Sequence, residues 1–270
     1  MFGKHRREKL QQLSDSVPFW WHSIDFGHGV VTPGYKTPDI LSAEFDAMRL
    51  PNLTGKTLLD IGAWDGFFSF EAERRGASRI AALDHYAWSL DLVAQNRYIQ
   101  ECQNQGVAPL PYHTVPELWH PHLLPGKKGF DAAQKAINSR VEAHVADFMT
   151  VNPDDFGIFD IVLFLGVLYH MENPLKSLRQ IARLTGELAV IETVAVVVPG
   201  FETSAMWEFY PSSELNGDVS NWWSPNIQAL HGICQAAGFR RVETMIGPPD
   251  EAGLPQHEVS RYRATIHAWK

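Results

Sequence analysis

The 270 residues carry 23 Lys and Arg against 31 Asp and Glu, a formal net charge of −8, and 45% of them are hydrophobic. At roughly 100–200 residues per domain this is one large domain or one domain with an appendage, and the apolar share supports a full core and excludes a disordered chain. The acidic balance removes the general basic field that steers proteins onto phosphate backbones, leaving only a local patch for nucleic acid, while two distant cysteines, Cys102 and Cys234, exclude a disulfide scaffold and point to a reducing, cytoplasmic setting.

Residues 1–16, basic and then polar, form a short amphipathic helix with no apolar core of the kind a secretory signal needs. The following "VPFWWHSIDFGHGVVTPGYKTPDI" is rich in aromatics, Gly and Pro and reads as an ordered loop or lid. "LSAEFDAMRL" is a helix with Leu41, Phe45, Met48 and Leu50 near one face. From Thr57 the pattern changes: "TLLDIG" is a buried strand, and "GFFSFEAERRGA" a helix closed by Gly76. "RIAALD" is a second strand and "SLDLVAQNRYIQEC" a second helix. Residues 104–128, with five prolines, are an insertion without periodicity, and "FDAAQKAIN" is a short helix. "VEAHVADF" is a strand ending at Asp147, and "FDIVLFLGVL" is another, too apolar to be half exposed.

The chain then runs through the helix "PLKSLRQIARLT", the strand "GELAVIETVAVV", and a helix with Ser224 as cap, Pro225 in its first turn and Gly238 as stop. The strands "RRVETMIG" and "RYRATIHAW" follow each other without a helix. Alternating strands and helices make an α/β fold with a mostly parallel seven-stranded sheet and helices on both faces. The last two strands make an antiparallel hairpin at one edge. The expected organisation is an N-terminal helix and lid over 1–54, then a ligand-binding domain over 55–270 with an insertion at about 104–140. No apolar run reaches about 18 residues, so no membrane span is expected.

In an open parallel sheet, ligands sit beyond the carboxyl ends of the strands where the strand order reverses. The turn Gly62–Gly66 lies at such an end, and its glycines let backbone approach a ligand. Asp84 ends the next strand, where a carboxylate accepts from two ribose hydroxyls. Asp147 and Phe148 end the third, a carboxylate and an aromatic face suited to adenine. A dinucleotide fingerprint would read G-x-G-x-x-G, but here Trp64 takes the middle glycine's place and Asp65 brings negative charge toward a pyrophosphate. An NAD oxidoreductase is therefore disfavoured. An unphosphorylated nucleoside with a positive centre fits, and S-adenosylmethionine is such a ligand.

Together, strand-G-x-x-x-G-helix, the acidic end of strand two, "ADF" after strand three and "FDIVLFLGVLYHMENP" resemble the class I S-adenosylmethionine-dependent methyltransferases, over about residues 55–246. "GVLYH" followed by "NPLKSLRQI" resembles more narrowly the tRNA wobble-uridine methyltransferase-like family, and "WHSIDFGHGVVTPG" and "NWWSPN" resemble its shorter bacterial relatives. The resemblance implies a Rossmann-like fold. It implies that Asp60, Gly62, Ala63, Trp64 and Gly66 border the donor, that Asp84 with the adjacent His85 holds the ribose, that Asp147 and Phe148 face the adenine, and that Leu165 and Gly166 line the donor and the acceptor entry. The tRNA enzyme of this family takes a carboxylated donor, carboxy-S-adenosylmethionine, held by a lysine, a tyrosine and an arginine. Lys36, Tyr169 and Arg263 match these by placement. That donor stays as the alternative to ordinary methyl transfer.

A hydroxyl acceptor needs its proton removed, and His is the commonest base near neutral pH. His170, after strand four, is the expected base or acceptor-orienting group, with Tyr169 beside it. Its alternative role is to cap the helix near Asn173 or to bond a backbone carbonyl. Glu192, at a strand end after "AVI", is a candidate for the acceptor, as are Tyr210, Glu214 and Trp223 in "MWEFYPSSELNGDVSNWW", a segment whose aromatics either stack on a ring or pack as a cover. His113, His120 and His122 have no carboxylate or Cys at metal-ligand spacing, so no metal is expected. The expected activity is O-methylation of a small or glycosidic acceptor. The alternatives are tRNA wobble-uridine modification and a non-catalytic module that kept the donor fold.

Overall fold

The computed structural model describes residues 2–249 and 258–270. Seven strands make the central sheet: β1 (Thr57–Ile61), β2 (Arg79–Asp84), β3 (Glu142–Val145), β4 (Phe159–Leu165), β5 (Thr185–Val197), β6 (Arg241–Ile246) and β7 (Ser260–Trp269), in the order β6-β7-β5-β4-β1-β2-β3. β1, β2 and β3 run parallel, as do β4 and β5, and β7 is antiparallel to both β5 and β6. This is the expected mostly parallel seven-stranded α/β sheet, with the antiparallel hairpin at one edge. The apolar strands β1 and β4 are buried almost end to end, as parallel strands covered on both faces must be. Among the described residues no helix is long and apolar enough to cross a membrane.

The described chain forms two compact units. One runs to Asp46 and includes Leu50–Asp147; the other comprises Ala47–Arg49 and the chain from Phe148 onward. In the first, helix α1 (Phe2–Asp15) precedes the aromatic segment, which contains a small antiparallel hairpin of Asp25–Gly27 and Val30–Val31. Helix α2 (Pro38–Ala47) buries Leu41 and Phe45. Helix α3 (Phe67–Arg74) follows β1 directly. Asp91 caps helix α4 (Leu92–Gln105) by accepting from the amides of Val93 (3.1 Å) and Ala94 (2.9 Å). The insertion is built on one-turn elements at Tyr112–Thr114 and Pro125–Lys127, and helix α5 (Lys128–Ile137) buries Phe130 against Phe70 and Trp88 at 5.1 and 5.2 Å. Strand β3 stops at Val145, two residues before Asp147.

In the second unit, Asn173 caps helix α6 (Pro174–Leu184) through the amide of Lys176 at 3.0 Å. The last helix, α7 (Ile227–Ala237), starts later than its sequence indicates. Asn226, not Ser224, is the cap, accepting from the Ala229 amide at 2.9 Å. Ser224 and Pro225 belong instead to a short strand, Trp223–Pro225, paired antiparallel with Trp207–Phe209. The cross-strand contact between Phe209 and Trp223, 4.7 Å between ring centroids, draws those residues into the pair.

Candidate functional site

The first unit carries the turn after β1. Gly66 sits in the left-handed region (φ +87°), and a Cβ there would lie 2.7 Å from the rings of Phe130 and Phe70, so no larger residue fits. Trp64 is also left-handed (φ +49°), an unfavourable place for a bulky residue. Its surroundings hold it there. Its amide donates to Asp84 Oδ2 at 3.1 Å, its carbonyl accepts from Trp88 Nε1 at 2.7 Å, and its ring stacks on Trp21 with centroids 4.8 Å apart and planes 3° from parallel. The Trp64 Nε1 is buried without a partner. Ala63 is buried and Gly62 exposed.

Three buried carboxylates surround this turn. Asp60 accepts from Ser69 Oγ at 2.6 Å, and burial pushes its carboxyl up to about 6. Asp84 accepts from Trp64 and, through Oδ1, from the Ala87 amide at 3.0 Å, and burial holds it at about 6 against these bonds. Asp65 departs from its sequence reading. It faces inward, not toward a ligand: Oδ2 accepts from the amides of Trp21 (2.6 Å) and His22 (2.9 Å), and burial pushes its carboxyl up to about 7. The charge that weighed against a pyrophosphate is therefore spent on the N-terminal segment, and the case against a dinucleotide rests on Trp64 and the glycine spacing.

His85 is half-buried with its ring edge-on to Trp119 at 5.4 Å. Asp147 is exposed. Lys36 is ion-paired with Glu44 at 2.7 Å. His113 packs edge-on to Trp119, and His120 Nε2 lies 3.2 Å from the Glu117 carbonyl.

The second unit carries the other candidates. Phe148 is buried, edge-on to Phe164 at 5.3 Å, with its carbonyl held by Gln180 Nε2 at 3.0 Å. Leu165 and Gly166 are half-buried at the end of β4. The Gly166 amide donates to the Glu192 carbonyl at 3.0 Å, and a Cβ on Gly166 would lie 3.4 Å from both Arg263 Nη2 and Tyr169 Oη and 3.8 Å from Glu192 Oε2. Glu192 pairs in register with Thr265, so Arg263, two residues back on β7, is its diagonal neighbour on the same face. The guanidinium meets both carboxylate oxygens of Glu192, and it lies 5.2 Å from the Tyr169 ring centroid. The structure thus gathers Gly166, Tyr169, Glu192 and Arg263 into one cluster.

His170 follows in the one-turn element Leu168–His170. Burial lowers its pKa, so the ring is neutral at pH 7. Its Nδ1 lies 3.0 Å from the Ser220 carbonyl and 2.9 Å from Ser220 Oγ. The ring does bond a backbone carbonyl, while the helix cap falls to Asn173. Ser220 is the residue that sequence reasoning passed over. The only local signal was Asp218-x-Ser220, an Asx-turn pattern: Asp218 Oδ1 accepts from the Ser220 amide at 2.9 Å. Tyr210 is buried, packed with Val194, Leu215 and Tyr169, and donates to Glu208 Oε2 at 2.6 Å. Glu214 is exposed and caps the Ser212 amide at 2.8 Å. Trp223 is half-buried against Phe209, with Nε1 donating to the Glu172 carbonyl at 3.3 Å.

The chemistry of the first turn suits a cation. Asp60 and Asp84 are buried, burial raises the pKa of both, the Asp84 charge raises that of Asp60 further, and among the described residues neither accepts a hydrogen bond from Lys or Arg. An unphosphorylated ligand carrying a sulfonium offsets that penalty, whereas a pyrophosphate adds to it. Comparison with known proteins gives the family. Residues 36–244 match the family model described as "Methyltransferase domain". Curated relatives include tRNA U34 carboxymethyltransferases of Ectopseudomonas mendocina (strain ymp), 24% identical over 71% of this chain and 47% of the relative, and of Shewanella amazonensis, 26% identical over 67% and 43%. The chain thus spans less than half the length of these relatives.

Among solved structures, the N-terminal domain of EvdMO1 with SAH bound superposes with a TM-score of 0.59 at 17% identity, covering 97% of this chain and 96% of that one. The same domain in the presence of SAH and D-fucose gives 0.57 at 16% identity, with the same coverage. The chain belongs to the methyltransferase-domain family.

Proposed function

We propose that this methyltransferase transfers an ordinary methyl group to a hydroxyl of a small ring acceptor, glycosidic in class, with His170 as general base. The observation that carries this reading is His170 itself. It is neutral at pH 7 because burial lowers its pKa, and its Nδ1 is engaged by Ser220. A neutral imidazole takes the acceptor proton, and that assistance is worth ~10²–10⁴ in rate.

Asp60, Gly62, Ala63, Trp64, Gly66 and Asp84 are assigned to the donor, with His85, Asp147, Phe148, Leu165 and Gly166 as its further lining. When bound, the donor supplies an electrophilic methyl on a sulfonium. Phe209, Trp222 and Trp223 offer aromatic faces on a segment bonded to the His170 turn, since the Trp222 amide donates to the Tyr169 carbonyl at 2.8 Å. Such faces suit the apolar side of a sugar ring. The EvdMO1 domain, similar in fold, is described in the presence of D-fucose, itself a small hydroxylated ring.

Two features favour this reading over a carboxylated donor or tRNA. Arg263, the guanidinium expected to grip an extra carboxylate, already has both oxygens of Glu192 in its fork, and Lys36 is paired with Glu44. Two of the cations on which a tRNA path would draw are also paired: Lys127 with Asp131, and Arg140, 3.7 Å from Glu73.

The test offers the labelled ordinary donor with a panel of hydroxylated glycosides or with total tRNA, and repeats each with the carboxylated donor. Label is expected in a glycoside hydroxyl with the wild type. His170→Gln should keep donor binding and lose transfer by ~10²-fold or more. Label in tRNA, or faster turnover with the carboxylated donor, overturns the reading.

A further inference from the structure

The segment after Gly217 is stitched to the turn that carries His170. Besides the Trp222 and Trp223 bonds to the carbonyls of Tyr169 and Glu172, Ser220 offers the His170 Nδ1 two oxygens, its carbonyl at 3.0 Å and its hydroxyl at 2.9 Å. A carbonyl has no proton to give, so Nδ1 must be the donor. The hydroxyl agrees. Its one hydrogen goes to Asp218 Oδ1 at 2.8 Å, which leaves a lone pair toward the ring. Both contacts demand the same tautomer, with Nδ1 protonated and the Nε2 lone pair open.

We propose that Asp218 and Ser220 are positioning residues that lock His170 in the Nδ1–H tautomer, and that the Asp218 carboxylate, acting through the Ser220 hydroxyl, stabilises the imidazolium formed when Nε2 takes a proton. The inference rests on the reading that His170 serves a hydroxyl acceptor. In that step the acceptor O–H bond breaks, its proton binds the Nε2 lone pair, the oxygen keeps the electron pair with which it attacks the methyl carbon, and the ring gains one positive charge.

Several charged and titratable groups face that ring. Tyr169 lies on the same turn with its ring centroid 4.3 Å away, Asp218 comes from the loop, and Arg263 comes from β7 with its charge balanced by Glu192 on β5. Burial and Arg263 oppose protonation, while Asp218 and the Ser220 bond favour it. Removing the Asp218 charge therefore moves the His170 pKa further down, so the acidic limb of the kcat/KM profile shifts to lower pH. The imidazolium is also less stabilised, so kcat falls at neutral pH.

The experiment uses the full chain labelled with 15N-histidine, with His170→Gln to assign the resonances. It needs neither donor nor acceptor. Long-range proton–nitrogen correlation should find Nδ1 protonated and Nε2 bare at neutral pH in the wild type. Asp218→Asn should lower the His170 pKa by roughly one unit, on the scale of a nearby charge. Ser220→Ala should keep the tautomer, because the carbonyl remains, and lower the pKa similarly; it stands as the second variant should Asp218→Asn fold poorly. With a glycoside acceptor, both variants should lose about tenfold in kcat with KM little changed.

An Nε2–H tautomer, or a His170 pKa unmoved in both variants, overturns the proposal. A locked tautomer and shifted pKa in a protein that methylates no hydroxyl keep the positioning device and sink the proposed reaction instead.

Discussion

Removing the carboxylate of Asp65 tests how the donor turn is tied to the N-terminal segment. One oxygen of this side chain, itself 1% exposed, satisfies two backbone amides, Trp21 at 2.6 Å and His22 at 2.9 Å. Asp65→Ala leaves both amides buried without an acceptor, at about 1–3 kcal/mol each, so a loss of roughly 2–6 kcal/mol is expected. Asp65→Asn keeps a neutral acceptor in place and separates the charge from the bond.

The pH dependence follows from the carboxyl's rise from 3.8 to about 7, caused first by burial. A folded-state pKa above the unfolded one means that the folded protein binds the proton more tightly. The stabilisation is therefore complete below about pH 4 and is lost as pH rises through about 7, an effect on the order of 4 kcal/mol. Asp65→Asn lacks this ionisation, so it should gain on the wild type by about that much between pH 4 and pH 8. Urea unfolding followed by tryptophan fluorescence measures the stabilities, and hydrogen exchange at the Trp21 and His22 amides reports the local bond. The reasoning fails if Asp65→Ala stays within ~1 kcal/mol of the wild type with those amides still protected, or if Asp65→Asn and the wild type keep parallel pH profiles.

Three further outcomes are expected. Asp84→Asn, which keeps one of the two acceptor oxygens used by Trp64 and Ala87, should weaken donor binding by ~10–100-fold in calorimetry, about 1.4 kcal/mol per tenfold; an affinity within twofold of wild type removes Asp84 from the donor site. Since burial pushes Asp60 and Asp84 each to about 6, affinity for the cationic donor should climb from pH 5 to pH 7 with proton release, read by titration in buffers of different ionisation heat; a flat profile contradicts the assignment. Gly66→Ala places a Cβ 2.7 Å from the Phe130 and Phe70 rings at a left-handed backbone position and should cost ~1–3 kcal/mol, and an unchanged Tm refutes that packing.

Much of this molecule is written locally. The buried runs "TLLDI", "RIAALD" and "FDIVLFL" identify β1, β2 and β4 because parallel strands covered on both faces need continuous apolar sequence. The glycines at 62 and 66 and the carboxylates at 60 and 84 mark the turn after β1 that we assign to the donor, because chain geometry and strand-end position are fixed by neighbours in sequence. The two successive strand-like runs "RRVETMIG" and "RYRATIHAW", with no helical pattern between them in the sequence, give the antiparallel edge.

Other properties depend on residues far apart in the chain, and no local pattern reports them. Asp65 looks like a ligand-facing charge until its partners, 43 and 44 residues earlier, are in place. Ser224 reads as a helix cap until pairing with Glu208 makes it strand. Arg263 reads as a free guanidinium until the register of β7 against β5 sets Glu192 beside it, 71 residues away. His170 gains its tautomer from Ser220, 50 residues later. Propensity and periodicity fix elements because their energies act within a few residues, whereas the state of a buried charge or ring nitrogen depends on burial and on whichever partner the fold delivers.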